Sequence, residues 1–361
     1  MSAHATDDQG PPDAAALASA RQGGLFYVSD AQPGLRRRKS GDGFRYLDPR
    51  GQSVRDAATL QRVRALAIPP AYRDVWICMR ADGHLQATGR DARGRKQYRY
   101  HPRWAEVRDR EKFGRIETFG ALLPRLRRQL RRDLALPGFP ERKVAAMVVA
   151  VMADTLVRIG NAGYARDNKS YGLTTLRNRH VQFLRGGRAR FRFRGKGGID
   201  HDVVLDDARL ARLLQKCQQL PGQHLFQYRD DDGGVHPVGS AQVNDYLRQA
   251  MGDSFTAKDF RTWGGTLAAI RLLAEMPWDD AGASQRAMAS MRKAVETDVA
   301  RQLGNTPAVC RKSYIDPRVY AAWESGWLAR ASDGVRGPRQ WEALALKLLR
   351  RRGGDRSGGR R

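Results

Sequence analysis

The sequence predicts an α+β protein: a small N-terminal antiparallel β-sheet domain with one helix, then a larger, mainly α-helical domain carrying a three-stranded β-meander. Three observations carry this prediction. From Leu25 to about Trp104, short apolar runs are cut by turn dipeptides, which is the signature of short antiparallel strands. Beyond about Lys112 the apolar residues recur at helical spacing. Inside that helical stretch, His180 to Leu205 returns to strict alternation in Arg190-Phe-Arg-Phe-Arg194.

With 361 residues the chain is long enough for two domains. Residues 1–24, rich in Ala, Gly, Pro and Asp, read as a flexible leader outside the fold. The N-terminal domain, 25–104, contains the runs Leu25-Phe-Tyr-Val28, Gly43-Phe-Arg-Tyr-Leu47, Val75-Trp-Ile-Cys-Met79 and His84-Leu-Gln-Ala-Thr88. Pro33-Gly34, Gly41-Asp42-Gly43 and Asp82-Gly83 separate them, and Asp56 to Leu66 reads as the helix. The highly charged 105–112 is a linker or exposed helix. The second domain, 113–345, holds helical periods over Phe119 to Leu136, Arg142 to Ile159, Lys258 to Met276 and Ser284 to Leu303, the second apolar nearly all round and hence buried. Residues 346–361 form a basic tail.

Lys and Arg number 65 against 38 Asp and Glu, a net charge of +27, so the folded protein attracts polyanions. A hydrophobic share of 41% is enough for a core and excludes a disordered basic chain. Cys78, Cys217 and Cys310 are odd in number and form no metal or disulfide pattern, which points to a reducing, cytoplasmic setting. The longest apolar run, Val144 to Ala153, is too short to span a bilayer, so no membrane partner is expected.

The spacing also excludes chemistries. The one Gly195-Lys196 has Arg190 and Gly197 where a phosphate-binding P-loop needs Gly and Ser or Thr. Asp230-Asp-Asp-Gly-Gly234 reads as an acidic turn, because adjacent acids splay apart in an extended chain. No cofactor and no metal are expected. Chemistry on a phosphate would therefore rely on cationic side chains.

Attack on a phosphodiester needs a nucleophile, donors for the non-bridging oxygens and an acid for the departing alkoxide. Arg158, in Leu156-Val-Arg-Ile-Gly-Asn161, emerges from an apolar helix and either meets an anion or pairs with Asp154 one turn back. Arg261 lies just after Thr256 and Asp259, whose spacing is that of a helix-start capping box; it either binds phosphate there or is solvated. Lys196, in a Gly-rich hairpin tip, arrives protonated at neutral pH and can act as an acid, or is merely exposed. Tyr314 closes a segment in which Gly304 and Asn305 stop one helix while Thr306 and Pro307 start the next. It is a candidate nucleophile or a packing residue, and Asn305 is by default a turn residue.

The order and wording of these segments resemble the type IB DNA topoisomerases, especially their poxvirus-like bacterial branch. The carriers are Val-Arg-Ile-Gly-Asn161, Gly195-Lys-Gly197, Lys258-Asp-Phe-Arg-Thr-Trp263 and Leu303-Gly-Asn-Thr-Pro-Ala-Val-Cys-Arg-Lys-Ser-Tyr314. Thr88-Gly-Arg-Asp-Ala-Arg-Gly-Arg-Lys-Gln-Tyr-Arg-Tyr100 resembles the family's DNA-contacting segment, and Ser170-Tyr-Gly-Leu-Thr-Thr-Leu-Arg-Asn-Arg-His180 the approach to the hairpin. The resemblance covers Leu25 to Trp327. It implies a monomeric C-shaped clamp on double-stranded DNA in the bacterial nucleoid, with Arg93, Arg95, Gln97, Tyr98 and Tyr100 touching the duplex. It implies further that Tyr314 is the nucleophile, Arg158 and Arg261 stabilise the transition state, and Lys196 expels the 5′-hydroxyl. Asn305 stands where viral and eukaryotic members have histidine, so this position keeps a hydrogen-bonding role without proton transfer. Two rival readings are a tyrosine recombinase, against which Lys258-Asp-Phe-Arg261 stands in place of His-x-x-Arg, and a non-catalytic basic DNA-binding protein.

Overall fold

A computed structural model describes residues 14–252, 255–276 and 284–351. The chain divides into two compact units, with the boundary between Gly114 and Arg115. The first unit opens with helix α1 (Ala14–Gln22) and contains strands β1 (Leu35–Ser40), β2 (Gly43–Leu47), β3 (Arg73–Ile77), β4 (Leu85–Arg90) and β5 (Lys96–Tyr100). They form one antiparallel sheet in the order β2-β1-β3-β4-β5. Helix α2 (Ala57–Ala65) starts at Asp56, whose carboxylate accepts from Thr59 N, and buries Val63 against Leu35, Val75, Ile77 and Ala87.

Three expectations about this unit are corrected. Half of the supposed leader folds: Ala14-Ala-Ala-Leu-Ala-Ser-Ala20 is a run of strong helix formers, Ala20 packs with Leu25 and Trp104, and Ser19 donates to Glu111. Residues 1–13 lie outside the described residues. The supposed linker 105–112 belongs to the continuous helix α3 (Pro102–Asp133), because Trp104 and Val107 fall at helical spacing on a buried face despite the surrounding charge. The run Leu25 to Val28 makes only one bridge, from Phe26 to Gly83. Strand β1 escapes the alternation test because Arg36, Arg37, Arg38 and Lys39 leave Leu35 as its only buried apolar residue.

The second unit is built around helix α4 (Glu141–Thr155), buried from Lys143 through Val149. After it come α5 (Ala162–Asn168) and the meander β6 (Val181–Leu184), β7 (Arg188–Arg194) and β8 (Asp200–Leu205), paired in that order. Next are α6 (Ala208–Gln218), the hairpin β9 (Gln227–Arg229) and β10 (Val235–Pro237), and α7 (Ser240–Met251). Asp230 holds the β9–β10 turn by accepting from Gly234 N at 2.6 Å and pairing with His236 at 2.7 Å, as the acidic-turn reading requires. Then follow α8 (Ala257–Ala274), α9 (Gln285–Leu303), α10 (Pro307–Ser313), α11 (Pro317–Glu324), α12 (Trp327–Ala331) and α13 (Pro338–Arg350).

The expected basic tail at 346–361 begins too early. Trp341, Leu344, Ala345, Leu348 and Leu349 form a buried helical stripe, so α13 carries the fold through Arg350. Residues 352–361 lie outside the described residues. No helix among the described residues is long and apolar enough to cross a membrane.

Candidate active site

Arg261 sits in the second turn of α8. The helix starts as its sequence dictates: the Asp259 carboxylate accepts from Thr256 N at 2.8 Å and from its hydroxyl at 3.1 Å. Arg261 is only 3% exposed, so a solvated role is excluded. Its guanidinium donates to the carbonyl of Leu156 and, at 2.7 Å, to that of Leu303, while Nε has no acceptor among the described residues.

Those two carbonyls explain how Arg158 arrives beside it. Helix α4 stops when Leu156 enters the left-handed region (φ 55°), which turns Arg158 off the helix and removes the one-turn spacing to Asp154. Arg158 then donates to Gly304 O at 3.3 Å and to Oδ1 of Asn305. Burial, followed by the charge of Arg261, pushes its guanidinium down to about 10. Among the described residues neither arginine has a carboxylate partner. Arg261 buried and Arg158 half-buried, held by carbonyls and an amide, are like charges that are costly to desolvate together, and an anion between them would relieve that cost.

Gly304 ends α9 in the left-handed conformation (φ 56°), and Thr306, with Pro307 after it, starts α10 by accepting from Val309 N at 3.4 Å. Asn305 is held between them with its Nδ2 buried and, among the described residues, facing no oxygen or nitrogen acceptor; the Cys310 sulfur is its neighbour. Tyr314 caps α10, 9% exposed, with its ring 5.0 Å from the Arg261 guanidinium carbon. Burial is the largest influence and opposes ionisation, yet Arg261, Arg158 and Lys258 together hold the phenol below its ordinary range. The structure thus brings Arg158, Arg261, Asn305 and Tyr314 to one place.

Lys196 lies in a short turn (Lys196–Gly198) between β7 and β8, exposed, with no hydrogen bond or ion pair among the described residues. It approaches the cluster through His201, a residue that sequence reasoning missed. A Cβ at Gly304 would lie 2.3 Å from His201 Cε1, and one at Gly195 would lie 2.6 Å from the same ring. Burial, then Arg158 and Arg261, push its imidazole down to about 4, so the ring is neutral.

Gly264, Gly265 and Thr266 were also missed. A Cβ at Gly264 would lie 2.5 Å from Leu156, and one at Gly265 would lie 2.8 Å from the carbonyl oxygen of Tyr314. Thr266 donates to that carbonyl at 3.2 Å and accepts from Asp316 N at 3.1 Å. Adjacent glycines inside a helix disfavour it by roughly 1 kcal/mol each, so their presence in α8 was a readable sign of close approach. Cys310 is buried behind the site, and burial pushes its thiol up to about 11, which leaves it unreactive.

In the first unit, Asp91 organises the β4–β5 turn. It accepts from Arg93 N at 3.0 Å, from Arg95 N at 2.9 Å and from Gln97 Nε2 at 3.0 Å, and pairs with the Arg95 guanidinium at 2.6 Å. Arg93 and Arg95 are exposed. Tyr98 and Tyr100 stack at 6.0 Å on one face of β5 and pack partly against Val28, Trp76, Cys78 and Leu85. Burial pushes the Tyr100 phenol up to about 12.

A family model of the eukaryotic DNA topoisomerase I catalytic core matches residues 101–322, and one of the bacterial DNA topoisomerase IB N-terminal domain matches residues 43–91. DNA topoisomerase 1B of Acanthamoeba polyphaga mimivirus is 33% identical over 300 residues, 78% of this chain and 85% of that protein. DNA topoisomerase 1B of vaccinia virus (strain Copenhagen) and DNA topoisomerase I of monkeypox virus are each 21% identical over 250 residues, 68% of this chain and 73% of theirs. By the catalytic-core match over most of its length and the identity to the mimivirus protein, the chain belongs to the type IB DNA topoisomerases.

Proposed function

We propose that this topoisomerase relaxes supercoiled duplex DNA, as a monomer, by transient cleavage of one strand at Tyr314. The phenol loses its proton to solvent, eased by Arg261, Arg158 and Lys258, and its oxygen attacks a backbone phosphorus. The bond from phosphorus to the 5′ oxygen breaks as the bond to tyrosine forms, leaving a 3′-phosphotyrosyl link. Arg158, Arg261 and the Nδ2 of Asn305 donate to the non-bridging oxygens as their charge grows. Lys196 gives its proton to the departing 5′ oxygen. Return of the hydroxyl reverses each step. One phosphodiester replaces another, so released superhelical strain drives the net change and no energy cofactor enters. Arg93, Arg95, Gln97, Tyr98 and Tyr100 contact the duplex, and phosphate contacts make that binding salt-dependent.

The observation that carries this reading is one buried and one half-buried guanidinium, neither with a carboxylate partner among the described residues, beside a buried tyrosine. Plasmid relaxation in EDTA tests the activity, and denaturing gels on a suicide duplex test the nucleophile. Tyr314→Phe is expected to bind DNA with unchanged affinity while forming no covalent adduct and losing all measurable relaxation. Retained adduct in that variant would refute the assignment, and a wild-type protein that binds without relaxing would return the chain to the class of DNA-binding proteins.

A further inference from the structure

The side chain of His201 has neither a hydrogen bond nor an ion pair among the described residues, yet three surfaces fit against its ring. It pairs with Phe193 across β7 and β8, and the two rings lie flat on each other, with centroids 4.8 Å apart and planes 5° from parallel. One edge meets Gly195, immediately before Lys196, where a Cβ would lie 2.6 Å from Cδ2 and Nε2. The other edge meets Gly304, immediately before Asn305, where a Cβ would lie 2.3 Å from Cε1 and 2.9 Å from Nε2. Gly195 has φ −97° and ψ −165°, extended backbone open to any residue, so the nearness of the imidazole is what its missing side chain accommodates. Gly304 carries the additional demand of a left-handed helix stop.

We infer that His201 is a positioning residue: its ring docks the base of the Lys196 hairpin on the Gly304–Asn305 turn and so fixes where the lysine meets the leaving oxygen. The inference rests on the reading of Lys196 as the acid. Lys196 is exposed and otherwise unattached, so the hairpin base is what limits its reach. Displacement of a catalytic group by about 1 Å costs on the order of 100-fold in rate, and this sets the scale of the effect. The faces around the ring present Arg158 and Arg261 from the helical side and Asp200 from its own strand. A neutral, flat side chain suits that company better than a third cation.

Single-turnover cleavage separates the possibilities, with duplexes carrying either oxygen or sulfur at the 5′ bridging position of the scissile bond. Sulfur departs without a proton. His201→Ala is expected to cut the oxygen substrate at least about 10-fold more slowly than wild type, with DNA affinity unchanged. It should regain most of the wild-type rate on sulfur, and Lys196→Ala should do the same. The double variant should be no slower than Lys196→Ala alone. Gly195→Ala should be slow in the native background and harmless beside His201→Ala, where the methyl has room; this pair also serves if His201→Ala folds poorly. Rescue of Lys196→Ala without rescue of His201→Ala would overturn the inference and leave the acid in place. Failure to rescue Lys196→Ala would remove the acid reading and the inference with it.

Discussion

Arg261 and Lys196, the two cations given complementary roles in the proposed cleavage, are held in opposite ways. Arg261 is buried, forked between two backbone carbonyls on a capped helix, whereas Lys196 stands exposed on a three-residue turn with no side-chain partner among the described residues. The difference follows from their proposed tasks. A group that stabilises growing charge gains most when its dipoles are fixed beforehand, since no reorganisation is then needed at the moment of reaction. An acid has to reach an atom that moves away and later returns, so its position is set more loosely, from the base of its hairpin.

The largest expected effect tests the fixed side of this contrast. Arg261→Ala should lower the cleavage rate by about 100- to 1,000-fold. It should also lower the melting temperature, because the carbonyls of Leu156 and Leu303 lose a buried donor at about 1–3 kcal/mol each. Lys196→Ala should leave the melting temperature where it was. Equal melting shifts in the two variants would break the contrast.

A smaller effect separates charge from burial. Guanidiniums stay protonated in acid and neutral solution, but a buried imidazole must remain neutral. His84 in the first unit is 4% exposed, stacks on Tyr27 at 4.0 Å and accepts from Val28 N through Nδ1 at 3.0 Å. Burial pushes it from 6.5 down to about 4. Between those values the unfolded chain binds more protons than the folded one, so stability is whole above pH 6.5 and falls as the pH drops toward 4. The loss from this ring is on the order of 3 kcal/mol. Denaturant melts followed by tryptophan emission should show it, and His84→Gln, which keeps an acceptor, should flatten the slope. An unchanged slope in that variant would place the acid sensitivity elsewhere.

The smallest effect sharpens the fixed side further. Asn305→His should retain activity within about 10-fold in the relaxation assay, because a ring nitrogen can take over the single hydrogen bond to a phosphate oxygen. Complete loss would show that the amide does more than donate, for instance by holding Arg158 through Oδ1.

Much of the site was legible because its local signals are strong. Thr256 with Asp259, Gly304 with Thr306 and Pro307, and the alternation of Arg190 to Arg194 each fix backbone geometry within a few residues, and each element lies where those residues put it. The readings that failed involved burial hidden beneath charge or small side chains. Ala14–Gln22 looks like a leader until Ser19 and Ala20 find Glu111 and Trp104, and Arg103 to Lys112 looks solvated until Trp104 and Val107 turn inward. His201 gave no signal at all, since a lone histidine between two aspartates reads as strand surface.

By itself, the sequence determined the helical core and the meander, the caps that start and stop α8, α9 and α10, and which side chains have the chemistry to work on a phosphate. Those properties arise from dihedral preference and hydrogen bonds between near neighbours. Only the tertiary structure decided that Arg158 leaves its helix to meet Asn305, that it and the buried Arg261 have no carboxylate partner among the described residues, and that an imidazole fits between two glycines more than a hundred residues apart. Those choices depend on closing long loops around a shared core, where the gain from packing distant surfaces, rather than any local preference, selects the arrangement.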